Sequence, residues 1–243
     1  MVTVTRPTKV IIYLHGNAED VGTSYDFLVK MSLTFKCSVL AMEYPGYGIY
    51  KTESADAGTI LLNANLVMQF LIEHMKYDPR DIILLGRSMG SGPACALAVQ
   101  YPTIQSLILV SPYTSIKQVV KTLVGSVASY LVKERFENIE IIDKVRCPTL
   151  IIHGQNDQVI HESHAIALHD KCGGPAKLIM PKDMTHNDFD VYKDLIQPIN
   201  QFFVESNIVP TFAYGNIGKL KRAMTMPPTV VRDKTSKADL EML

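Results

Sequence analysis

The 243-residue sequence has no excess of charge of either sign, since 24 Lys and Arg side chains balance 24 Asp and Glu side chains. A neutral chain has no net attraction for polyanions, so we expect no nucleic acid among its partners. The sequence also lacks an apolar run long enough to cross a bilayer, and no signal peptide precedes the first predicted strand. We therefore expect no transmembrane segment.

Cysteine is scarce, and none of the four residues Cys37, Cys95, Cys147 and Cys172 forms a C-x-x-C pair. Scattered cysteines are typical of buried apolar side chains in a reducing compartment, and they argue against a disulfide framework or a zinc site. The sequence therefore predicts an intracellular protein, located in the cytoplasm or at the cytoplasmic surface of a membrane.

Cofactor motifs are missing as well. Gly46-Tyr47-Gly48 lacks the third glycine of a dinucleotide fingerprint, and no Walker-type G-K-[ST] occurs. His161, His164 and His169 cluster around one predicted helix, but H-E-S-H lacks the i, i+4 spacing of a zinc helix, so a solvated helix start is favoured over a metal site. We expect neither a cofactor nor a metal.

The sequence does contain strands that alternate with helices. Short apolar, β-branched runs predict buried strands, and apolar residues at a spacing of three and four predict helices. The predicted strands are residues 9–14, 38–43, 82–85, 106–110, 149–152 and 176–180. The predicted helices are residues 25–33, 55–74, 89–100, 163–172 and 189–206. This alternation indicates a doubly wound, mostly parallel sheet, with the strand near Ser38 at an exposed edge.

Gly86-Arg87-Ser88-Met89-Gly90 matches the motif G-x-S-x-G between a predicted strand and a predicted helix. In that context the glycines allow a sharp turn, which exposes the serine hydroxyl as a nucleophile. The N–H group of Met89, in the first helical turn, is free to face a developing oxyanion.

A second oxyanion donor is sought in the turn that follows the first strand, His15-Gly16-Asn17. There the N–H of Asn17 is our candidate, and an ordinary turn between strand and helix explains the residues equally well. His15, like His153, ends a strand and precedes glycine, which favours a structural ring bonded to local backbone.

Asp157 and His186 follow the last two predicted strands, at the carboxyl edge where ligands bind in open α/β sheets. The order Ser88, Asp157, His186 is that of α/β-hydrolases, in which the histidine takes the serine proton and the carboxylate orients the histidine. Asp188 competes for the role of the acid, but its place at a predicted helix start favours an N-cap.

Four further residues are candidates for the pocket. Tyr47 and Tyr113 follow strand ends, and each is equally consistent with packing. Arg87 occupies the variable position of the motif, where an exposed side chain is the simpler interpretation. His15, for which the structural interpretation is favoured, is the fourth candidate.

Six segments resemble the α/β-hydrolase domain-containing type 17 and type 13 group, over residues 10–206. They are Y-L-H-G-N-A-E-D, E-Y-P-G-Y-G, L-L-G-R-S-M-G-S-G-P-A, L-I-L-V-S-P-Y-T-S, C-P-T-L-I-I-H-G-Q-N-D-Q-V-I and T-H-N-D. Type 17 members are serine hydrolases that remove palmitate from cysteines of membrane-associated proteins. The resemblance implies an α/β-hydrolase fold and acyl-protein thioesterase chemistry by the triad named above. It also implies an edge hairpin and a lipidated cysteine-rich segment at the N-terminus, and we expect both to be missing here.

The predicted domain covers residues 1–208, with a short helical cap at 114–143 and a flexible tail at 209–243. The apolar residues of the cap are equally consistent with a roof over an acyl groove and with a helix packed on the sheet. Three functions remain: a hydrolase of esters or thioesters of proteins, lipids or small molecules; a serine peptidase; and a non-catalytic binding module. The complete triad argues against the third.

Overall fold

The computed structural model describes residues 8–51, 56–124 and 135–208, and its centre is a six-stranded parallel β-sheet. The strands are β1 (Val10–Leu14), β2 (Ser38–Ala41), β3 (Ile82–Arg87), β4 (Ser106–Val110), β5 (Thr149–Ile152) and β6 (Ala176–Ile179). All six predicted strands are therefore present. β3 is longer than predicted, because Gly86 and Arg87 still pair with Leu109 and Val110 of β4.

The strands are ordered β2-β1-β3-β4-β5-β6, and every neighbouring pair is parallel. β1, β3, β4 and β5 are buried along their whole length, which explains their unbroken apolar sequences. β2 lies at one edge of the sheet, as predicted. Residues 1–7 and 209–243 lie outside the described residues, so the expected lack of an edge hairpin stays a prediction.

The described residues form six α-helices. They are α1 (Tyr25–Phe35), α2 (Ala57–Gln69), α3 (Ser91–Gln100), α4 (Ile116–Val124), α5 (Ser163–Lys171) and α6 (Gln197–Glu205). A π-helical segment, Phe70–His74, continues α2, and another, Val191–Ile196, precedes α6. Apolar spacing does not distinguish such segments from α-helix, so the sequence predicted one helix in each case. Across the described ranges, no helix combines the length and apolarity needed to span a bilayer.

Helices cover both faces of the sheet, because successive side chains of a strand point to opposite sides. Val10, Ile12 and Leu14 of β1 share one apolar layer with side chains of α2, α3 and α5. On the other face, Phe35 of α1 packs against Phe203 of α6, with ring centroids 5.1 Å apart. The sheet is thus doubly wound, and the carboxyl ends of its strands remain open for a site.

The predicted cap begins with α4 and ends with two 3₁₀ turns, Asn138–Glu140 and Ile142–Lys144. Its two ends are joined: Asn138 Nδ2 donates to the carbonyl of Tyr113 at 2.9 Å, and the N–H of Ile139 donates to the carbonyl of Thr114 at 3.0 Å. Residues 125–134 of the cap and the predicted tail lie outside the described residues. The described parts of the cap are therefore held against the carboxyl end of β4.

Candidate active site

Ser88 lies at the turn between β3 and α3. A 3₁₀ turn, Ser88–Gly90, precedes α3, so the α-helix begins two residues later than predicted. The φ angle of Ser88 is 49°, in the left-handed region that residues with a side chain rarely adopt. This conformation is typical of a nucleophile elbow, where the hydroxyl stands at the carboxyl edge of the sheet.

Gly86 and Gly90 permit two close backbone contacts at this turn. A Cβ atom on Gly90 would lie 2.0 Å from the carbonyl oxygen of Leu14, and one on Gly86 would lie 2.4 Å from the carbonyl oxygen of Gly90. Main-chain atoms of a central sheet cannot move aside as a flexible side chain can. Gly90 is therefore required where the turn packs against β1, and Gly86 is required where the end of β3 passes the turn itself.

We expect Gly90→Ala to lower the free energy of unfolding by about 1–3 kcal/mol, the usual cost of overpacking a rigid site. Gly22→Ala is the matched control, because Gly22 is exposed and a Cβ atom there meets only the side chain of Asp20, at 3.2 Å. Urea denaturation of both variants measures the difference. Equal stability of the two variants would show that the Leu14 contact relaxes freely.

The structure brings Ser88, His186 and Asp157 into one chain of hydrogen bonds. Ser88 Oγ lies 3.0 Å from His186 Nε2, and His186 Nδ1 lies 2.7 Å from Asp157 Oδ2. The three residues are buried, and they follow the carboxyl ends of β3, β6 and β5 respectively. This arrangement suits a histidine that takes the proton of a serine hydroxyl.

The electrostatics of Asp157 fix the orientation of the histidine. Burial alone raises the pKa of the Asp157 carboxyl, but its hydrogen bonds with His186 and with the N–H groups of Ile160 and Val159 outweigh burial and lower it. The carboxylate is thus ionised, and an ionised carboxylate accepts hydrogen bonds but has no proton to donate. His186 therefore carries its proton on Nδ1, which leaves the Nε2 lone pair facing Ser88.

His153 closes the loop that carries Asp157. Its Nε2 donates to the carbonyl of Ile160 at 2.8 Å and lies 3.5 Å from Asp157 Oδ2. Burial lowers the pKa of His153, so that the ring is neutral. The predicted structural role of this histidine is confirmed by its bond to local backbone. The sequence did not indicate that His153 would also lie beside the candidate acid, Asp157.

Asp188 does not contact His186 through its side chain in the way that Asp157 does. It is exposed, and its N–H donates to Thr185 Oγ1 at 2.9 Å within a turn. The predicted N-cap role was also wrong, because Asp190 caps the following helical segment by accepting from the N–H groups of Tyr192 and Lys193. The helical segment begins at Val191, two residues later than predicted, so its N-cap residue is Asp190 rather than Asp188.

Asn17 and Met89, the candidate oxyanion donors, both line the pocket that contains Ser88. Met89 lies in the first turn of helical backbone, where N–H groups lack a partner within the helix. Tyr47 donates its hydroxyl to Asn17 Oδ1 at 2.6 Å, which fixes the Asn17 side chain against the pocket wall. The roles of both N–H groups stay a prediction, and the positions of the two residues are consistent with it.

The pocket beside Ser88 has a volume of about 370 Å³, within the range usual for small-molecule sites. Most of its lining is apolar, and it includes both predicted tyrosines, Tyr47 and Tyr113. The described lining residues are Asn17, Tyr47, Asp56, Ala57, Ile60, Ser88, Met89, Tyr113, Ile116, Val119, Arg135, Phe136, Val159 and Ile160. Ile116 and Val119 belong to α4, so the described helix of the predicted cap supplies part of the pocket wall.

Two predicted pocket residues lie elsewhere. His15 is fully buried, with Nδ1 2.9 Å from the carbonyl of Gly16, and it packs on Tyr44 with ring centroids 4.0 Å apart. Its structural role is confirmed, but it does not line the pocket. Arg87 is only 7% exposed, because it extends behind the pocket to an ion pair with Glu19. Glu19 was not among the predicted site residues, and its place in H-G-N-A-E is its one signal in the sequence.

The three clustered histidines each contact a different side chain. His164 is buried, contrary to the solvated helix start that was expected, and Thr114 Oγ1 lies 2.8 Å from its Nδ1. Burial lowers the pKa of His164 to about 4. His161 contacts Ser163, and His169 contacts Asp170. In the described parts of the chain, no three His, Cys, Asp or Glu side chains are grouped so that they could hold a metal ion.

The sequence was compared with known families and with known proteins. Residues 5–143 match the family described as serine aminopeptidase, S33, a range that includes Ser88 and ends before Asp157 and His186. The human alpha/beta hydrolase domain-containing protein 17B is 30% identical over 194 residues, which are 79% of this chain and 65% of that protein. The chain therefore spans less than two thirds of the length of this relative.

Solved structures share the architecture at low sequence identity. Est1E from Butyrivibrio proteoclasticus, solved with ferulic acid bound, gives a TM-score of 0.67 at 20% identity, covering 83% of this chain and 91% of that chain. A puromycin-hydrolyzing peptidase from Mycobacterium tuberculosis gives a TM-score of 0.64 at 16% identity, covering 87% of this chain and 36% of that chain. Such identities establish a shared fold alone, and the fold predicted from the sequence is confirmed.

Proposed function

This chain belongs to the serine aminopeptidase S33 family and is similar to the type 17 α/β-hydrolase domain-containing proteins, and we propose that it is a serine hydrolase of acyl esters and thioesters. The observation that carries the proposal is the hydrogen-bonded chain from Ser88 through His186 to Asp157 at an apolar pocket. A binding module without catalysis has no need for such a chain.

Acylation begins when Ser88 Oγ attacks the acyl carbonyl carbon while its proton passes to His186 Nε2. The carbonyl electrons move to the oxygen, and in this proposal the N–H groups of Met89 and Asn17 donate to that oxyanion. The Asp157 carboxylate stabilises the imidazolium that forms. The intermediate then collapses, the thiolate or alkoxide leaves with the proton from Nε2, and Ser88 carries the acyl group.

Deacylation repeats these steps with water as the nucleophile. His186 Nε2 takes a proton from the water as its oxygen bonds to the acyl carbon, and a second oxyanion forms at the same donors. Collapse breaks the bond to Ser88 Oγ, which regains the proton from Nε2. A carboxylic acid departs, and the enzyme returns to its starting state.

The pocket wall favours a long acyl chain. Ile60, Val119 and Phe136 reach the pocket from three separate parts of the chain, and their apolar surfaces suit methylene groups. Val159, which also lines the pocket, is 41% exposed and extends the apolar surface outward. We propose an S-acylated protein as the natural substrate, cleaved in the cytoplasm or at a membrane surface that the protein contacts only peripherally.

A serine peptidase is the second candidate, and Asp56 is the observation that favours it. Among the described lining residues it is the one carboxylate, the group that a substrate amine would need. However, Asp56 Oδ1 accepts from the N–H groups of Gly58 and Thr59, and the Thr59 hydroxyl donates to Oδ2. Asp56 thus serves as the N-cap of α2, and a thiolate also leaves more readily than an amine.

We expect kcat/KM to rise with acyl length across p-nitrophenyl esters and acyl thioesters of two to sixteen carbons. Each buried methylene contributes roughly 0.8 kcal/mol at most, which is about fourfold in rate. Val119→Trp should shift the optimum towards shorter chains, because the side chain of Val119 lines the pocket. The measurement is the ratio of sixteen-carbon to two-carbon turnover.

Gln118→Trp is the matched control, since the neighbouring Gln118 is exposed and does not line the pocket. It should leave the chain-length profile unchanged. A wild-type profile that peaks at acetyl and falls with length would remove the long-chain proposal. Faster cleavage of an aminoacyl amide than of any thioester would favour the peptidase instead.

A further inference from the structure

The Arg87 guanidinium connects two loops of the candidate active site behind the pocket. Arg87 directly precedes Ser88, and its Nη2 donates to the backbone carbonyl of His186 at 2.6 Å. The same nitrogen lies 3.3 Å from Asn187 Oδ1, and the Phe189 ring centroid is 5.4 Å from Cζ. One side chain thus ties the loop of the nucleophile to the loop of the base.

The other branch of the guanidinium reaches the turn that carries Asn17. Its Nη1 forms an ion pair with Glu19 Oε1, and Glu19 Oε2 accepts from the N–H of Gly16 at 2.9 Å. Glu19 Oε2 also accepts from the hydroxyl of Tyr13 at 3.3 Å. The Glu19 side chain therefore closes the turn in which the candidate oxyanion donor lies.

We propose that Arg87 and Glu19 form a positioning pair, which holds the nucleophile, the base and the oxyanion turn in register. Neither residue lines the pocket beside Ser88, so neither contacts the acyl group. The proposal rests on the hydrolase function proposed above. Its physical basis is that the fork of the guanidinium donates to two acceptors at fixed geometry, which a lysine ammonium does not reproduce.

We expect Arg87→Ala and Glu19→Gln each to lower kcat per active site by about 10- to 100-fold, the loss typical of a displaced catalytic group. KM should change by less than about threefold, because binding of the acyl chain involves other residues. Active sites are counted by titration with a fluorophosphonate. Turnover is then divided by the concentration of folded, active enzyme, so that unfolded protein does not lower the value of kcat. Arg87→Lys should remain impaired.

Chemical rescue separates positioning from a merely structural role. A cavity of about 190 Å³ borders both Arg87 and Glu19, so free guanidinium ion can reach the space left by Arg87→Ala. We expect guanidinium at millimolar concentration to restore kcat in Arg87→Ala with saturation. Sodium chloride at equal ionic strength should not restore it, and guanidinium should not rescue an Arg87→Ala, Glu19→Gln double variant, which lacks the carboxylate.

Arg80→Ala is the control, since Arg80 is exposed and pairs only locally with Asp78. Unchanged kcat per titrated site in Arg87→Ala and Glu19→Gln would overturn the proposal, as would a loss confined to the melting temperature. If Arg87→Ala does not fold, the proposal is tested instead by the kcat per titrated site of Arg87→Lys and Glu19→Gln. Absence of Ser88-dependent turnover and labelling in the wild type would instead remove the proposed function, and this inference with it.

Discussion

Ser88→Ala should abolish covalent labelling by a fluorophosphonate probe and lower kcat by about 10⁶-fold, the loss seen when a triad serine is removed. The Oγ atom is the group that forms the acyl-enzyme bond, and alanine leaves His186 Nε2 without a proton to accept. The φ angle of 49° at this position suits alanine no worse than serine, so the fold should persist. Gel fluorescence and ester turnover measure the two effects.

Ser91→Ala is the matched control for this result. Ser91 lies three residues further on, at the start of α3, where its side chain accepts a long hydrogen bond of 3.3 Å from Asn138 Nδ2 and also interacts with the hydroxyl of Tyr113. It should label like the wild type. Stoichiometric labelling of the Ser88→Ala protein would mean that another residue is the nucleophile.

Asp157→Asn should lower kcat by about 10⁴-fold, as an amide in the acid position does in other triads. The N–H groups of Val159 and Ile160 both donate to Asp157 Oδ1, so the oxygen of an asparagine amide should occupy that place. The amide NH₂ then faces His186 Nδ1 and donates to it. The histidine would carry its proton on Nε2, and it could no longer take the proton of Ser88.

Asp188→Asn provides the comparison, because Asp188 is exposed and follows the same histidine by two residues. Its activity should stay within about twofold of the wild type, as for most surface substitutions. Steady-state kinetics at neutral pH, normalised to titrated sites, measure both variants. A mild effect at Asp157 together with a large one at Asp188 would transfer the role of the acid to Asp188.

Local sequence was sufficient for the elements that depend on neighbouring residues. The apolar runs predicted all six strands, and four of these strands, β1, β3, β4 and β5, are buried along their whole length, where apolar side chains predominate. The glycines flanking Ser88 predicted the turn, because close backbone contacts exclude side chains there. Helix starts were less accurate: Ser88–Gly90 is a 3₁₀ turn, and Asp190 rather than Asp188 caps its helix.

The order of residues along the chain also predicted which side chains would meet. Ser88, Asp157 and His186 each follow a strand of a parallel sheet, and such strands end at the same edge. The proximity of these three residues therefore follows from topology together with sequence position. In the structure the two contacts between them are 3.0 and 2.7 Å long. The same reasoning placed Asn17 and Met89 at the pocket.

The environment of side chains that bridge distant segments depends on the tertiary structure and could not be predicted from local sequence. Arg87 looked exposed in the sequence, yet its partners Glu19 and His186 lie 68 and 99 positions away in the chain. His164 is buried because Thr114, 50 positions earlier, contacts its ring. The strand and turn patterns are read over a few adjacent residues, whereas burial and pairing of these charged and polar groups depend on how separate loops pack at the sheet edge.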